Sequence, residues 1–398
     1  MSAVKLKEIY TNLLSLAVFP KLLEDSVVLA LYEYLCAEDD TDMRVSEYAN
    51  FVSKVFSCGS SFAKHLQNLV NDDENVYIRT IGAGKTPSVA LEKAVNAELD
   101  ILQSVSEITP ELLKANIDYS GYLPDFDVEK VNIPDEYRYR CNNVNRFGFG
   151  IYSKYKMFYL DDDRCIVPVK NPDSITLSEL IDYKNEQNVI IENTLALLEG
   201  KPAANILLTG DAGTGKSSTI KAVANELYGK GLRILEVRKE QLYALPEILD
   251  QLSENPLKFI IFVDDLSFRE DDDNFGALKA ILEGSVSARS GNVVIYATSN
   301  RRHLVKETFS GREGDDIHRN DTMQEILSLS ARFGIHLSFY KPNRETYLHI
   351  VTHLAKENGI SVPKDDLYVL AERFALEKGG RSARAAKQFV DSLLVKKL

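Results

Sequence analysis

Long apolar runs are missing from this chain, and with them the simplest route into a membrane. No stretch of about eighteen or more apolar residues occurs, so neither a membrane span nor a membrane partner is expected. The opening Met1-Ser2-Ala3-Val4-Lys5-Leu6-Lys7-Glu8 mixes charged and apolar residues. It lacks the unbroken apolar core and small-residue cleavage site of a secretory signal. Cysteine is scarce too. Cys36, Cys58, Cys141 and Cys165 are widely spaced, with no C-x-x-C pair to suggest zinc or dithiol chemistry, and a reducing, cytoplasmic setting is expected. Basic charge is in deficit: 47 Lys and Arg against 59 Asp and Glu give a net charge of -12. Binding a phosphate backbone in bulk needs a basic surface, so this balance argues against it while leaving local basic patches open. Internal repeats and low-complexity segments are also absent.

What remains is ordinary for a globular protein, with 44% apolar and 27% charged residues. At 398 residues the chain exceeds one compact core and fits two domains. Residues 1–120 read as amphipathic helices, since Ile9, Leu13 and Leu16 recur at helical spacing, as do Leu91, Val95, Leu99 and Leu102. Thr86-Pro87 predicts a helix start, with Thr as cap and Pro in the first turn. Residues 121–172 change texture to Tyr, Phe, Asn, Gly and Pro, as in Tyr137-Arg138-Tyr139-Arg140 and Phe147-Gly148-Phe149-Gly150. Aromatics interleaved with basic residues can stack bases, but a connecting region that packs its own aromatics is the plainer reading. A short strand or two is expected over Tyr152 to Tyr159, and a domain boundary near Asn171-Pro172-Asp173.

From Ile175 strands and helices alternate. Strands are predicted at Asn205–Thr209, Arg233–Val237, Phe259–Val263, Asn292–Thr298 and Ile335–Tyr340. This alternation predicts a mainly parallel sheet covered on both faces over 173–341. A helical lid follows over 342–398.

Chemistry enters with Gly210-Asp211-Ala212-Gly213-Thr214-Gly215-Lys216-Ser217, which satisfies G-x-x-x-x-G-K-[ST] at every fixed position. Glycines let successive backbone N–H groups turn onto phosphates. The helix that follows aims its positive end at the same anion. Lys216 should reach the β- and γ-phosphates of ATP, and the Ser217 hydroxyl should ligate Mg²⁺. The adjoining Ser218 belongs to the same anion-facing turn. A second G-K-T at Gly84-Lys85-Thr86 fails, because Arg79 stands where the first glycine is required; it reads as a turn and helix cap.

Phe259-Ile260-Ile261-Phe262-Val263-Asp264-Asp265 delivers two carboxylates at the end of a buried strand, where α/β sheets place their ligands. Asp264 is the expected Mg²⁺ holder, and Asp265 the base or orienter of the attacking water. Asp265 is one methylene shorter than a glutamate, so its reach to a water depends on backbone placement. The acidic run Glu270 to Asp273 reads as a solvated loop. Val293-Val294-Ile295-Tyr296-Ala297-Thr298-Ser299-Asn300 adds a strand ending in an amide able to bond a γ-phosphate or a water. Arg332, in Ser328-Leu329-Ser330-Ala331-Arg332-Phe333-Gly334, and Arg381 and Arg384, in Gly379-Gly380-Arg381-Ser382-Ala383-Arg384, supply the planar cations that a charged transition state uses. A surface salt bridge is the bland alternative for each.

In this order the motifs resemble those of AAA+ ATPases. GDAGTGKSSTIKAV, KFIIFVDDLSF, IYATSNRRHLV, LSLSARFG and GGRSARAAKQFVD resemble most an uncharacterised family of bacterial AAA+ proteins with an N-terminal helical extension. The likeness covers about Pro172 to Leu398. It implies a P-loop α/β core with a C-terminal helical lid behind a mainly α-helical N-terminal domain. It also implies Asn300 at the sensor-1 position, Arg332 as an arginine finger reaching a neighbour's ATP, and Arg381 as the lid's sensor-2 contact with Arg384 as its rival. Leu180-Ile181-Asp182-Tyr183 looks like the adenine-lining segment, so Ile181 and Tyr183 are nucleotide contacts by resemblance; Asp182 replaces the usual glycine. A finger acting in trans implies a homo-oligomer, commonly a hexameric ring, and ATP hydrolysis that remodels a macromolecule. Two other readings stay open. One is a nucleotide-gated binding switch with little turnover, suggested by Asp265. The other is a replication-type loader or initiator on DNA, suggested by the Asp-Asp pair and Arg301-Arg302-His303.

Overall fold

The computed structural model describes residues 2–37, 40–267, 276, 278–279, 281–282, 291–300 and 331–395. Glu270 to Asp273 and Arg301-Arg302-His303 lie outside these. The chain divides into two compact units, Met1–Lys154 and Tyr155–Leu398.

The first unit is built from helices α1 (Ser2–Leu14), α2 (Ser26–Cys36), α3 (Thr41–Ser57), α4 (Phe62–Asp72), α5 (Val76–Gly82), α6 (Val89–Ser106), α7 (Pro110–Lys114), α8 (Ile133–Asn142), α9 (Val144–Phe147) and α10 (Ile151–Lys154). Short polar side chains start the longer ones. Asp25 caps α2, Ser61 caps α4 and Ser88 caps α6, each accepting a backbone N–H of the first turn. The start of α6 is therefore Ser88, whose Oγ accepts from Leu91 N at 3.2 Å, and not Thr86-Pro87 two residues upstream. Phe62, Leu66 and Val70 of α4 and Val95, Leu99 and Leu102 of α6 turn one stripe inward, as helical periodicity demands. Phe51 meets Phe62 and Phe126 edge-on, with ring centres 5.4 and 5.6 Å apart.

The region read as a connector over 121–172 divides between the two units. Phe126, Ile133, Tyr137, Cys141, Val144 and Phe149 complete the first unit's core, and Tyr137 stands on α8 with its ring buried. Residues beyond Lys154 enter the second unit as sheet.

A buried carboxylate organises one corner of the first unit. Glu98 of α6 is 5% exposed, and its two oxygens accept the backbone N–H groups of Ala17, Val18 and Phe19 at 2.9–3.1 Å. Charge-assisted bonds to successive amides offset the desolvation of the carboxylate and fix the turn after α1.

The second unit carries a seven-stranded sheet in the order β2-β1-β4-β5-β6-β3-β7. The strands are β1 (Met157–Leu160), β2 (Ile166–Pro168), β3 (Ile206–Gly210), β4 (Leu232–Glu236), β5 (Lys258–Val263), β6 (Val293–Ser299) and β7 (Ile335–Phe339). All pairings are parallel except β1 with β2. The five expected strands lie within a residue or two of their predicted bounds. The short strand expected over Tyr152 to Tyr159 is β1, which starts later, pairs with β4 (Met157↔Ile234) and extends the sheet; the addition is β2, paired antiparallel with β1. Helix α11 (Lys184–Leu198) precedes β3, and helices α12 (Lys216–Leu227) and α13 (Leu245–Ser253) provide the crossovers from β3 to β4 and from β4 to β5 that parallel strands require. β5 and β6 are buried almost throughout, as strands covered on both faces must be.

Helices α14 (Arg344–Glu357), α15 (Lys364–Glu377) and α16 (Ala383–Val395) follow β7 and close a core of their own around Tyr347, Val351, Ala371, Ala386 and Phe389. The second unit is thus a mainly parallel α/β sheet followed by a small C-terminal helical cluster, and the first unit is helical, as the fold expected from the sequence requires. Among the described residues no helix is long and apolar enough to cross a membrane.

Glu98→Ala would leave three amides without their acceptor. It should lower the unfolding free energy of the first unit by about 2–4 kcal/mol, and Glu98→Gln by less, as read from denaturant melts.

Candidate functional site

Strand β3 is flanked by β6 and β7, with Thr209↔Ser299 on one side and Gly210↔Phe339 on the other. β3 connects to β4 on one side while its neighbour β6 connects to β7 on the other, so the connections from these adjacent strands run in opposite directions, and at the carboxyl end of β3 the loop Gly210 to Gly215 emerges. A Cβ on Gly210, at φ 135°, would stand 2.0 Å from the carbonyl oxygen of Phe339, so only glycine fits. Gly213 and Gly215 also have positive φ, at 79° and 94°, turning Asp211, Ala212 and Thr214 into a compact loop. Thr214 Oγ1 donates to Asp211 O at 2.9 Å, and Gly215 is the residue from which α12 starts. Lys216, Ser217 and Ser218 form the first turn of α12, whose free N–H groups and dipole suit an anion.

The lysine is buried and fully engaged. Lys216 Nζ donates to Gly210 O (2.9 Å), Asp211 O (2.8 Å) and Asn300 Oδ1 (2.9 Å). Burial pushes its ammonium below the usual lysine range; Asp211, Asp264 and Asp265 oppose that shift, and the Arg384 guanidinium adds to it.

The acidic pair lies beside it. Ser217 Oγ donates to Asp264 Oδ1 at 2.6 Å, and Asn300 Nδ2 donates to Asp265 Oδ1 at 2.8 Å. Asn300 therefore bridges Lys216 and Asp265, while Ser217 is tied to Asp264. Asp265 adopts a left-handed backbone at φ 51°, uncommon for a residue with a side chain. A hydroxyl and a carboxylate in contact at the first turn of this helix are hard oxygen donors of the kind Mg²⁺ accepts, so the donor set fits that ion.

Tyr183 sits just before α11, also left-handed at φ 64°. Its ring lies 4.7 Å from that of Phe339, and its hydroxyl donates to Tyr340 O. Ile181 packs on the lid's core and Tyr183 on the sheet's core, so this segment lies where lid and sheet adjoin. Gln187, which the sequence reading passed over, is buried and fastens the segment: its Nε2 donates to Leu180 O (3.1 Å) and Asp182 O (2.8 Å). A polar residue one turn into a helix beside an irregular stretch was the available signal.

The two lid arginines separate clearly. Arg381 is held by Glu372, with Nε at 3.0 and 3.2 Å and Nη2 at 2.8 Å from its carboxylate oxygens. Arg384 instead donates its backbone N–H to Gly213 O at 3.2 Å, and its Cβ is the nearest atom to where a Cβ on Gly213 would stand, at 3.2 Å. Its side chain is exposed and makes no hydrogen bond or ion pair among the described residues. Of the two it is Arg384 that adjoins the phosphate loop, because Arg381 points back into the lid.

Arg332 is not brought to this site within the chain. It precedes β7 and lines a cavity of about 400 Å³ with Ala204, Asn205, Val293 and Gly334, at the ends of β3 and β6 opposite the loop.

The family model described as protein of unknown function (DUF815) matches residues 153–397. The chain belongs to that family. Among curated proteins nothing matches the sequence. Solved structures similar to this DUF815 protein include the Thermotoga maritima RuvB Holliday junction branch migration motor, at 17% identity and a TM-score of 0.38, covering 56% of this chain and 66% of that one. C. elegans PCH-2 is similar at 19% identity and a TM-score of 0.37, over 53% of this chain and 62% of that one. A chain of the E. coli MS115-1 HORMA:CdnC:Trip13 complex is similar at 12% identity and 0.36, over 54% and 89%.

The different surroundings of the two lid arginines predict different defects. Arg384→Ala should weaken ATP binding about tenfold in a fluorescent-nucleotide titration. Arg381→Ala should chiefly lower the melting temperature. The opposite pattern would return the nucleotide contact to Arg381.

Proposed function

We propose that this DUF815 protein binds ATP with Mg²⁺ at the loop Gly210 to Ser217 and hydrolyses it, coupling turnover to the remodelling of a macromolecular partner. The observation that carries the reading is the continuous set of polar contacts joining Ser217 to Asp264 and Lys216 through Asn300 to Asp265. These are the groups that phosphoryl transfer to water requires, gathered at one end of one sheet.

In this mechanism the loop amides and the N-terminus of α12 bind the phosphates, and Lys216 exchanges its carbonyl and amide acceptors for phosphate oxygens. Ser217 and Asp264 would hold Mg²⁺, which would supply positive charge against the charge carried by the phosphates. Asp265 accepts a proton from the water that attacks the γ-phosphorus, and the bond from that phosphorus to the bridging oxygen of ADP breaks. Asn300 orients Asp265 or the water. Arg384 approaches the phosphates from the lid, and Ile181 and Tyr183 border the base. Arg332 acts on a neighbouring copy's ATP, which makes the working form a homo-oligomer, on the pattern of a ring. The partner, protein or DNA, is recognised outside this site.

A switch that binds ATP with little turnover is the second reading, favoured by the short Asp265. Purified protein with Mg²⁺ and ATP should release phosphate. Lys216→Ala should cut that rate at least about a hundredfold. Asp265→Asn should keep nucleotide binding while losing turnover to a similar extent. Wild-type protein that binds ATP without turnover at any concentration is the switch; protein that binds no nucleotide overturns both readings.

A further inference from the structure

Strand β6 does more than present Asn300. Thr298, two residues earlier and within the strand, is 2% exposed and touches three consecutive residues of the acidic turn. Its Oγ1 donates to Asp264 Oδ1 at 2.5 Å and accepts the backbone N–H of Asp265 at 3.0 Å. Its carbonyl accepts the N–H of Leu266 at 2.7 Å. The register places it there: Val263 pairs with Ala297, so the next residue of β6 stands beside the first residue of β5 to leave the sheet.

Two consequences follow from these contacts. Asp264 Oδ1 receives three donors, from Ser217 Oγ, Thr298 Oγ1 and Asp265 N, while Oδ2 has none among the described residues. One oxygen is pinned and the other left available, which sets the rotation of the carboxylate. The left-handed backbone of Asp265 is uncommon for a residue with a side chain and persists only where neighbours over-determine it. Thr298 holds that backbone through the amide, and Asn300 holds the side chain through Oδ1. A short carboxylate fixed at both ends depends on backbone placement for its reach, and Thr298 supplies that placement.

We propose that Thr298 is a positioning residue for the acidic pair, orienting Asp264 toward Mg²⁺ and setting the left-handed turn from which Asp265 acts. The proposal rests on the ATP-hydrolysis reading above for Asp265, and on Mg²⁺-linked nucleotide binding alone for Asp264.

Thr298→Val removes the hydroxyl and keeps the branched shape of a buried strand residue. Thr298→Ala removes it with less bulk, and Thr298→Ser restores it. The measurement is binding of a fluorescent ATP analogue titrated with Mg²⁺, beside steady-state turnover. Both hydroxyl-free variants should need about ten times more Mg²⁺ for half-maximal tightening of binding, and should lose about ten- to a hundredfold in kcat. Their Mg²⁺-free nucleotide affinity should match wild type, and Thr298→Ser should recover both properties. A merely structural role would move Mg²⁺-free binding and melting temperature together. That result, or unchanged Mg²⁺ dependence in Thr298→Val and Thr298→Ala, overturns the proposal. If wild-type protein turns over no ATP, the hydrolysis reading fails by itself, while the Mg²⁺ titration still decides whether Thr298 orients Asp264.

Discussion

Strand β3 is hydrogen-bonded along both edges, and that double pairing is the constraint from which the site is built. Pairing with β7 runs through to Gly210, where the Phe339 carbonyl closes in until no side chain fits. Pairing with β6 brings Ser299, and with it Thr298 and Asn300, level with the start of the phosphate loop. β5 then pairs with β6 and sets the acidic turn beside both. Parallel strands end their carboxyl termini on one edge, so three separate stretches of chain deliver their polar ends to one place.

Charge is balanced locally there. A buried ammonium in an apolar sheet edge is costly, and Lys216 offsets the cost with two carbonyls and an amide oxygen. Those acceptors are weaker than phosphate oxygens would be, so the lysine can be drawn from them. Asp265 is held by Asn300, and Asp264 by Ser217 and Thr298. Each carboxylate is thereby oriented by neutral hydrogen-bond donors, and the Lys216 ammonium nearby is the positive charge that these acids act on.

The phosphate loop is also a mechanical junction. Asp211 Oδ2 accepts the N–H of Lys341, just beyond β7, and Gly213 O accepts the N–H of Arg384 at the start of α16. A change in loop geometry is therefore felt at the segment leading to the lid and at the lid itself. Tyr183 reaches the same segment through Tyr340.

The five core strands, the glycine-rich loop and the acidic pair were legible in the sequence, because each is a local signal, whereas the edge strand β2 was not. A short apolar run rich in β-branched and aromatic residues reads as buried sheet, and glycines at fixed offsets are the ones a phosphate loop needs. Residues 121–172 were illegible as to owner: their aromatics mark a core, but only packing assigns Tyr137 to one unit and Met157 to the other. The choice between Arg381 and Arg384 was equally hidden, since both follow the same glycines and only Glu372, nine residues upstream of Arg381, draws that one away. Thr298 looked like one more strand residue until register set it against Asp264. Periodicity and motif spacing are properties of one segment. Which donor meets which acceptor depends on strand register and lid placement, and those exist only once the segments have packed together.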